Sequence, residues 1–184
     1  AEYAGADYLA RQQNAVTQDI AMAGSAFKPF ALLANARLDG SVYDTYSGKS
    51  PQYFPGMSVP VSNDGGYSFG NVTLVRATEY SMNTAYVALT LDVGPQRTLE
   101  AAVDAGIPED TLGLNDELLN VLGSASPHNI DLATAYSTIA NGGERVNAHI
   151  VKKVEDSRGK LLYSGDVTPK RMFDVEEVSS IMPA

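Results

Sequence analysis

The chain has 184 residues, 44% hydrophobic and 19% charged, with 13 basic and 22 acidic side chains and a net charge of −9. That size and balance describe one folded domain with a buried core rather than a disordered polymer, and the acidic excess argues against a nucleic-acid surface, which needs clustered Lys and Arg. The absence of cysteine removes thiol catalysis, disulfides and zinc–thiolate sites; His128 and His149 are too few for a histidine-rich metal site; no apolar run is long enough to span a bilayer, and no signal peptide is visible.

Taken in chain order, the first strong element is a helix from Ser25 to about Leu38. Phe27, Phe30, Leu33, Ala34 and Leu38 repeat at helical spacing and Gly40 closes it. Pro29 fits there only in the first turn, where its missing N–H is not needed. Residues 41–70 are rich in Gly, Ser, Pro, Asn and Tyr and predict a long, mostly irregular excursion with short strands, of the kind that often lines a binding site. Its tyrosines, Tyr43, Tyr46, Tyr53 and Tyr67, either line a groove or pack beneath the loop. Two helices follow, Val72 to Tyr80 and Thr84 to Asp92, with Ser81-Met82-Asn83 at their join. A short helix spans Thr98 to Ala105 and is stopped by Gly106 and Pro108; another spans Asp131 to Ala140 and is closed by Asn141-Gly142-Gly143. His149 to Glu155 and Leu161-Leu162-Tyr163 flank the turn Asp156-Ser157-Arg158-Gly159 and predict a β-hairpin. Asp174 to Ile181 is a capped helix with Glu177 at the N3 position of a capping box.

Two short patterns in this frame carry chemistry. A serine hydroxyl is a poor nucleophile until a base takes its proton, and a lysine three residues on lies on the same helix face. Ser25 and Lys28 have that spacing at the start of a predicted helix, where free N–H groups favour negative charge. Ser81-x-Asn83 supplies a second hydroxyl and a carboxamide.

Ser-x-x-Lys followed by Ser-x-Asn resembles the first two of three motifs shared by penicillin-binding proteins and class A β-lactamases. The flanking text is narrower. Ala23-Gly24-Ser25-Ala26-Phe27-Lys28-Pro29-Phe30 is similar to the Pro-Gly-Ser-x-Phe-Lys-Pro signature of penicillin-binding transpeptidases, with Ala23 in place of the usual proline. Val72-Thr73-Leu74 and Arg76-Ala77 ahead of Ser81-Met82-Asn83-Thr84 resemble the family's approach to its second motif. Leu122-Gly123-Ser124-Ala125-Ser126-Pro127, Asp131-Leu132-Ala133-Thr134-Ala135-Tyr136 and Ala140-Asn141-Gly142-Gly143 are similar to a segment of the bifunctional class A members and lean away from class B. Tyr8, Gln13, Asn14, Ala15 and Thr17 match the lead-in to the nucleophile, so the resemblance runs through nearly the whole chain in order.

The third motif, Lys-Ser/Thr-Gly, is absent. In the family it lies on a strand beyond a helix like the one predicted near 174–182, and two strands precede a segment like Gly5-Ala6-Asp7-Tyr8. The expectation is therefore that residues 1–184 are an internal piece of one transpeptidase domain. On that expectation the fold is α+β, with the mostly helical part and a β-hairpin here and most of the central antiparallel sheet on flanking segments. A companion segment carries the third motif, and any membrane attachment belongs to a missing N-terminal anchor.

The resemblance implies a peptidoglycan D,D-transpeptidase on the outer face of the bacterial membrane, with no cofactor and no metal. Its partners would be peptidoglycan stem peptides and β-lactam antibiotics. Ser25 would attack the penultimate D-Ala carbonyl or the β-lactam ring. Lys28 would take the proton, burial and a nearby positive charge lowering its pKa. Ser81 would pass the proton to the leaving group, and Asn83 would hold substrate, Lys28 and Ser81. The oxyanion would be met by the Ser25 N–H and one N–H of the third-motif strand; losing such a donor costs roughly 3–4 kcal/mol in kcat, so the isolated chain is expected to be nearly inert. Ser124 either contacts ligand or is an ordinary loop serine. Glu117-Leu118-Leu119-Asn120 resembles the Glu-x-x-Leu-Asn element with which class A β-lactamases activate water, but its leucine is one place early; the structural reading puts Leu118 and Leu119 in the core and Glu117 in solvent. A β-lactamase, a D,D-carboxypeptidase and a non-catalytic β-lactam-binding sensor or scaffold are the alternatives, separated by whether an acyl group forms and how long it lasts.

Overall fold

The computed structural model describes residues 12–184; the lead-in tetrapeptide Gly5-Ala6-Asp7-Tyr8 lies outside the described residues. A single turn of 3-10 helix, Gly24–Phe27, runs through Lys28 into helix α1, Pro29–Ala36, with Pro29 at its first position. Every residue of α1 from Phe30 to Ala36 is buried. A helix apolar all round belongs in the centre of a domain, and α1 packs against three other helices. The predicted last turn is absent: α1 stops at Ala36 and Leu38 is half-exposed. Its end is drawn in by the Gly40 N–H, which donates to the Asn35 carbonyl at 3.0 Å.

The excursion that follows is irregular, as expected. It contains strand β1, Thr45–Ser47, which pairs antiparallel with β2, Asn71–Thr73. Helix α2 is Leu74–Glu79, and Thr73 caps it by accepting from the Arg76 N–H. The helix expected from Val72 begins two residues later, because pairing with Tyr46 and Thr45 takes Val72 and Thr73 into a strand. Helix α3 is Asn83–Val93, so Asn83 opens the helix rather than preceding it. Helix α4 is Pro95–Ala105, one turn longer than expected because Pro95 occupies the N1 position where proline is favourable. Beyond α4 a short 3-10 segment, Leu118–Leu122, packs against α3. Leu118 leans on the core and Glu117 faces solvent as anticipated, but Leu119 is 40% exposed because a 3-10 turn sends adjacent side chains in different directions.

Helix α5, Asn129–Ala140, packs on α4 and is followed by β3, Glu144–Arg145. Strands β4, Lys153–Glu155, and β5, Leu161–Ser164, form the predicted hairpin, but pairing begins only at Lys153 and both strands are exposed throughout. Ile150, read as part of the strand, is wholly exposed. Strand β6, Lys170–Arg171, pairs with β3, and helix α6, Val175–Ile181, lies against α1. Its capping box forms: the Asp174 N–H donates to Glu177 Oε2 at 2.9 Å. Among the described residues the strands make three separate two-stranded antiparallel pairs around a helical core. Arginines tie the layers together. Arg37 pairs with Asp104 at 2.7 Å and lies over the Phe173 ring, while Arg145 donates to the Val103 and Asp104 carbonyls at the end of α4.

Candidate active site

The site is assembled where the start of α1 meets the turn between α2 and α3. The 3-10 turn presents Ser25 at the surface and sends Lys28 inward, where it is only 3% exposed beneath the second serine. The α2–α3 turn supplies Ser81 through a backbone arrangement that glycine normally occupies. The Ser81 N–H donates to the Thr78 carbonyl at 2.9 Å and the Met82 N–H to the Ala77 carbonyl at 2.8 Å, with Ser81 at φ 49°. That is a Schellman helix end with serine in its left-handed position, a strained choice for a residue with a Cβ.

Four oxygens surround Lys28 Nζ: Ser81 O at 2.7 Å, Asn83 Oδ1 at 2.8 Å, Ser81 Oγ at 2.9 Å and Ser25 Oγ at 3.1 Å. Ser81 Oγ also donates to Ser25 Oγ at 2.8 Å. Two of the four are carbonyl oxygens that only accept, and two are hydroxyls that donate or accept. A neutral amine therefore gives its two N–H bonds to Ser81 O and Asn83 Oδ1 and turns its lone pair toward the hydroxyls. Burial pushes the Lys28 pKa down from 10.5 to about 8. Desolvation alone is the cause, rather than the nearby positive charge that the resemblance implied as well. The face of Tyr86, with its ring centroid 5.5 Å from Nζ, tolerates the charged form when it is present.

Asn83 bridges two segments. Its Oδ1 accepts from Lys28 and its Nδ2 donates to the Ser62 carbonyl at 2.9 Å, leaving one N–H for another acceptor. Ser124 lies beside the loop that carries Ser25, and its hydroxyl bonds to Asn120 rather than to the cluster. The residues either side of it pair with that loop: the Gly24 N–H donates to Gly123 O at 3.0 Å and the Ala23 N–H to Ala125 O at 2.8 Å. The exposed Ser124 hydroxyl accepts from Asn120 Nδ2 at 2.8 Å.

The structure thus brings Ser25, Lys28, Ser81 and Asn83 into one hydrogen-bonded cluster and sets Ser124 at its margin. Three contributors escaped the sequence reading. Gly123 has φ 83°, and a Cβ there would stand 2.0 Å from the Gly24 carbonyl oxygen, so only glycine lets this segment lie against the Ser25 loop. Tyr136 of α5 donates to the Ala26 carbonyl at 2.9 Å, fixing the same loop from its other side. Asn63, in a stretch of turn sequence, is buried and accepts from Thr84, the residue after Asn83. Of the tyrosines in the excursion, Tyr43, Tyr53 and Tyr67 are largely exposed, whereas Tyr46 donates to Asp92 Oδ2 at 2.9 Å.

An exposed serine and a buried lysine from one helical turn, joined to a Ser-x-Asn turn from a second segment, give the constellation that the two motifs describe. Residues 2–181 match the model of the penicillin binding protein transpeptidase domain, and the chain belongs to that family. It is 31% identical over 163 residues to penicillin-binding protein 1A of Neisseria lactamica, covering 85% of this chain and 20% of that protein. It is 34% identical over 154 residues to penicillin-binding protein 1A of Mycolicibacterium smegmatis, covering 76% and 19%. The chain therefore spans about a fifth of the length of the curated relatives it matches. Among solved structures, PonA1 of Mycobacterium tuberculosis in complex with penicillin V superposes with a TM-score of 0.78 at 28% identity, over 90% of this chain and 46% of that one. Penicillin-binding protein 1A from Haemophilus influenzae superposes with a TM-score of 0.73 at 25% identity, over 89% and 24%. Relatives of the 1A type bear out the lean toward class A, and these neighbours bear out the α+β transpeptidase fold.

Proposed function

We propose that this chain carries the acylating half of a peptidoglycan D,D-transpeptidase site. The observation that carries the reading is the buried Lys28 amine within hydrogen-bond reach of both serine hydroxyls. Lys28, neutral, accepts the Ser25 proton as Oγ forms its bond to the penultimate D-Ala carbonyl of a stem peptide. The C–N bond to the terminal D-Ala then breaks, and Ser81 relays a proton from Lys28 to the departing amine. An amine from a second stem peptide attacks the ester, its proton returns through the same groups, and Ser25 is released with a cross-link made. A β-lactam follows the first half: its ring C–N bond breaks, the leaving amine stays tethered, and the acyl group persists where no base activates water.

Asn83 holds the substrate amide with its remaining N–H. The Ser25 N–H is one oxyanion donor, and the second comes from a Lys-Ser/Thr-Gly strand elsewhere in the protein, since this sequence contains neither tripeptide. The extent of PonA1 beyond the matched region supports this division. We place the parent protein on the outer face of the bacterial membrane, where its substrate is; among the described residues no helix is long and apolar enough to cross one.

The test is intact mass of the purified full-length protein, native and denatured, with and without benzylpenicillin. The reading predicts a lasting adduct on the peptide that contains Ser25, lost in Ser25→Ala. An adduct that forms and rapidly hydrolyses would make the protein a β-lactamase. A lasting adduct without transfer to an amine acceptor would make it a sensor, and hydrolysis of the stem peptide without transfer a carboxypeptidase. No adduct at all would leave a scaffold.

A further inference from the structure

Asn63 is only 6% exposed, and its carboxamide is fully used. Nδ2 donates to the carbonyls of Gly48 and Tyr67, each at 3.1 Å, and Oδ1 accepts from the Thr84 N–H at 3.1 Å and Thr84 Oγ1 at 3.2 Å. Its own N–H donates to Ser50 Oγ at 2.9 Å. A buried asparagine that closes a loop is common. What takes this one further is what stands next to it at both ends. Residue 62 accepts from Asn83 Nδ2, and residue 63 holds Thr84. The dipeptide 62–63 is therefore pinned alongside the dipeptide 83–84 at the first turn of α3, and Asn83 is the residue whose Oδ1 accepts from Lys28.

On the transpeptidase reading proposed above, we infer that Asn63 is a positioning residue for acylation. It fixes the Ser62 carbonyl against Asn83, and so fixes which end of the Asn83 amide faces Lys28 and which faces substrate. A carboxamide has two near-equivalent ends, and the Ser62 carbonyl accepts only from the NH2 end. With that acceptor in place, Oδ1 is committed to Lys28. Without it, the Asn83 amide turns freely, and Lys28 loses the acceptor that helps keep its lone pair on the side of Ser25. Asn63 touches neither substrate nor the reacting atoms; it acts through the backbone of residue 62 and the helix start.

The test is a double-mutant cycle in the full-length protein. Acylation by a fluorescent penicillin is resolved into its initial binding constant and its acylation rate, with a thermal melt of each variant. Asn63→Ala is expected to slow acylation by about 10- to 100-fold, the range that small misplacements of reacting groups produce. Initial binding should change far less. In an Asn83→Ala background the same change should slow acylation no further, while it still lowers the melting temperature. Equal slowing in both backgrounds would overturn the inference, because loosening the fold alone predicts that result. Should Asn63→Ala not fold, Thr84→Val removes only the Oγ1 bond, and about threefold slowing that vanishes with Asn83→Ala supports the same conclusion; unchanged slowing in that background refutes it. A wild-type protein that does not acylate would sink the transpeptidase reading itself, whereas normal wild-type acylation with an unaffected Asn63→Ala sinks only this inference.

Discussion

Lys28 Nζ lies 2.7 Å from the backbone carbonyl oxygen of Ser81, and Ser81 is one of two non-glycine residues in the left-handed region among the described residues. The two facts belong together. The left-handed turn at Ser81 places its carbonyl and its hydroxyl on the same side, both within reach of one amine. A strained backbone is thus coupled to the orientation of the Lys28 amine, the kind of local strain that is kept at functional sites.

That coupling predicts that rate and stability separate at one position. Ser81→Ala and Ser81→Gly both remove the hydroxyl and should slow acylation comparably, by about 100-fold or more. Ser81→Gly relieves the left-handed strain and should be about 1 kcal/mol more stable than Ser81→Ala. Urea denaturation beside penicillin acylation reads both; an alanine variant as stable as the glycine variant would show that the turn carries no strain.

The pH dependence follows from the burial of Lys28. Its folded pKa, about 8, lies below the 10.5 of an exposed lysine. On the proposed mechanism Lys28 works when neutral, so acylation should rise with pH and level off above about 8. Sign and linkage agree: the folded state favours the neutral amine, so the stability contributed by this group is complete above the unfolded value and falls away as pH drops through 8. Acylation rates from pH 6 to 9.5 would check this, and a flat profile would remove Lys28 as the titrating base.

Gly123 should tolerate no side chain. A Cβ would meet the Gly24 carbonyl at 2.0 Å in a backbone with φ 83°, so Gly123→Ala must push apart the two bonds that hold the Ser25 loop. A loss of about 2 kcal/mol or more is expected, with slower acylation. Retained stability by thermal melt would mean the segment relaxes without cost.

Glu117 is exposed at the head of a 3-10 segment. Glu117→Gln should leave the lifetime of a penicilloyl adduct unchanged within about twofold, since a residue outside the site cannot activate its water. A much longer-lived adduct in that variant would restore the β-lactamase reading.

The sequence by itself determined which residues make up the candidate site: Ser25, Lys28, Ser81 and Asn83. Ser25 and Lys28 are three apart on one helical start, so their proximity is a local property of the chain. Helix identities were legible wherever apolar periodicity met a punctuating residue, as at Gly40, Gly106 and Gly142-Gly143. The ends were less so: Val72 and Thr73 became strand because Tyr46 and Thr45, far upstream, paired with them, and Leu38 fell outside α1. Only the tertiary structure decided that Lys28 is buried under Ser81, 53 residues away, and that burial is what lowers its pKa. Asn63 and Gly123 likewise look like turn residues until the chain folds back on them. Their roles arise from contacts with Thr84 and Gly24, and no local spacing encodes a contact between distant segments. Hydrogen-bond satisfaction in the interior and the exclusion of a Cβ are properties of the packed molecule, set when separate elements meet.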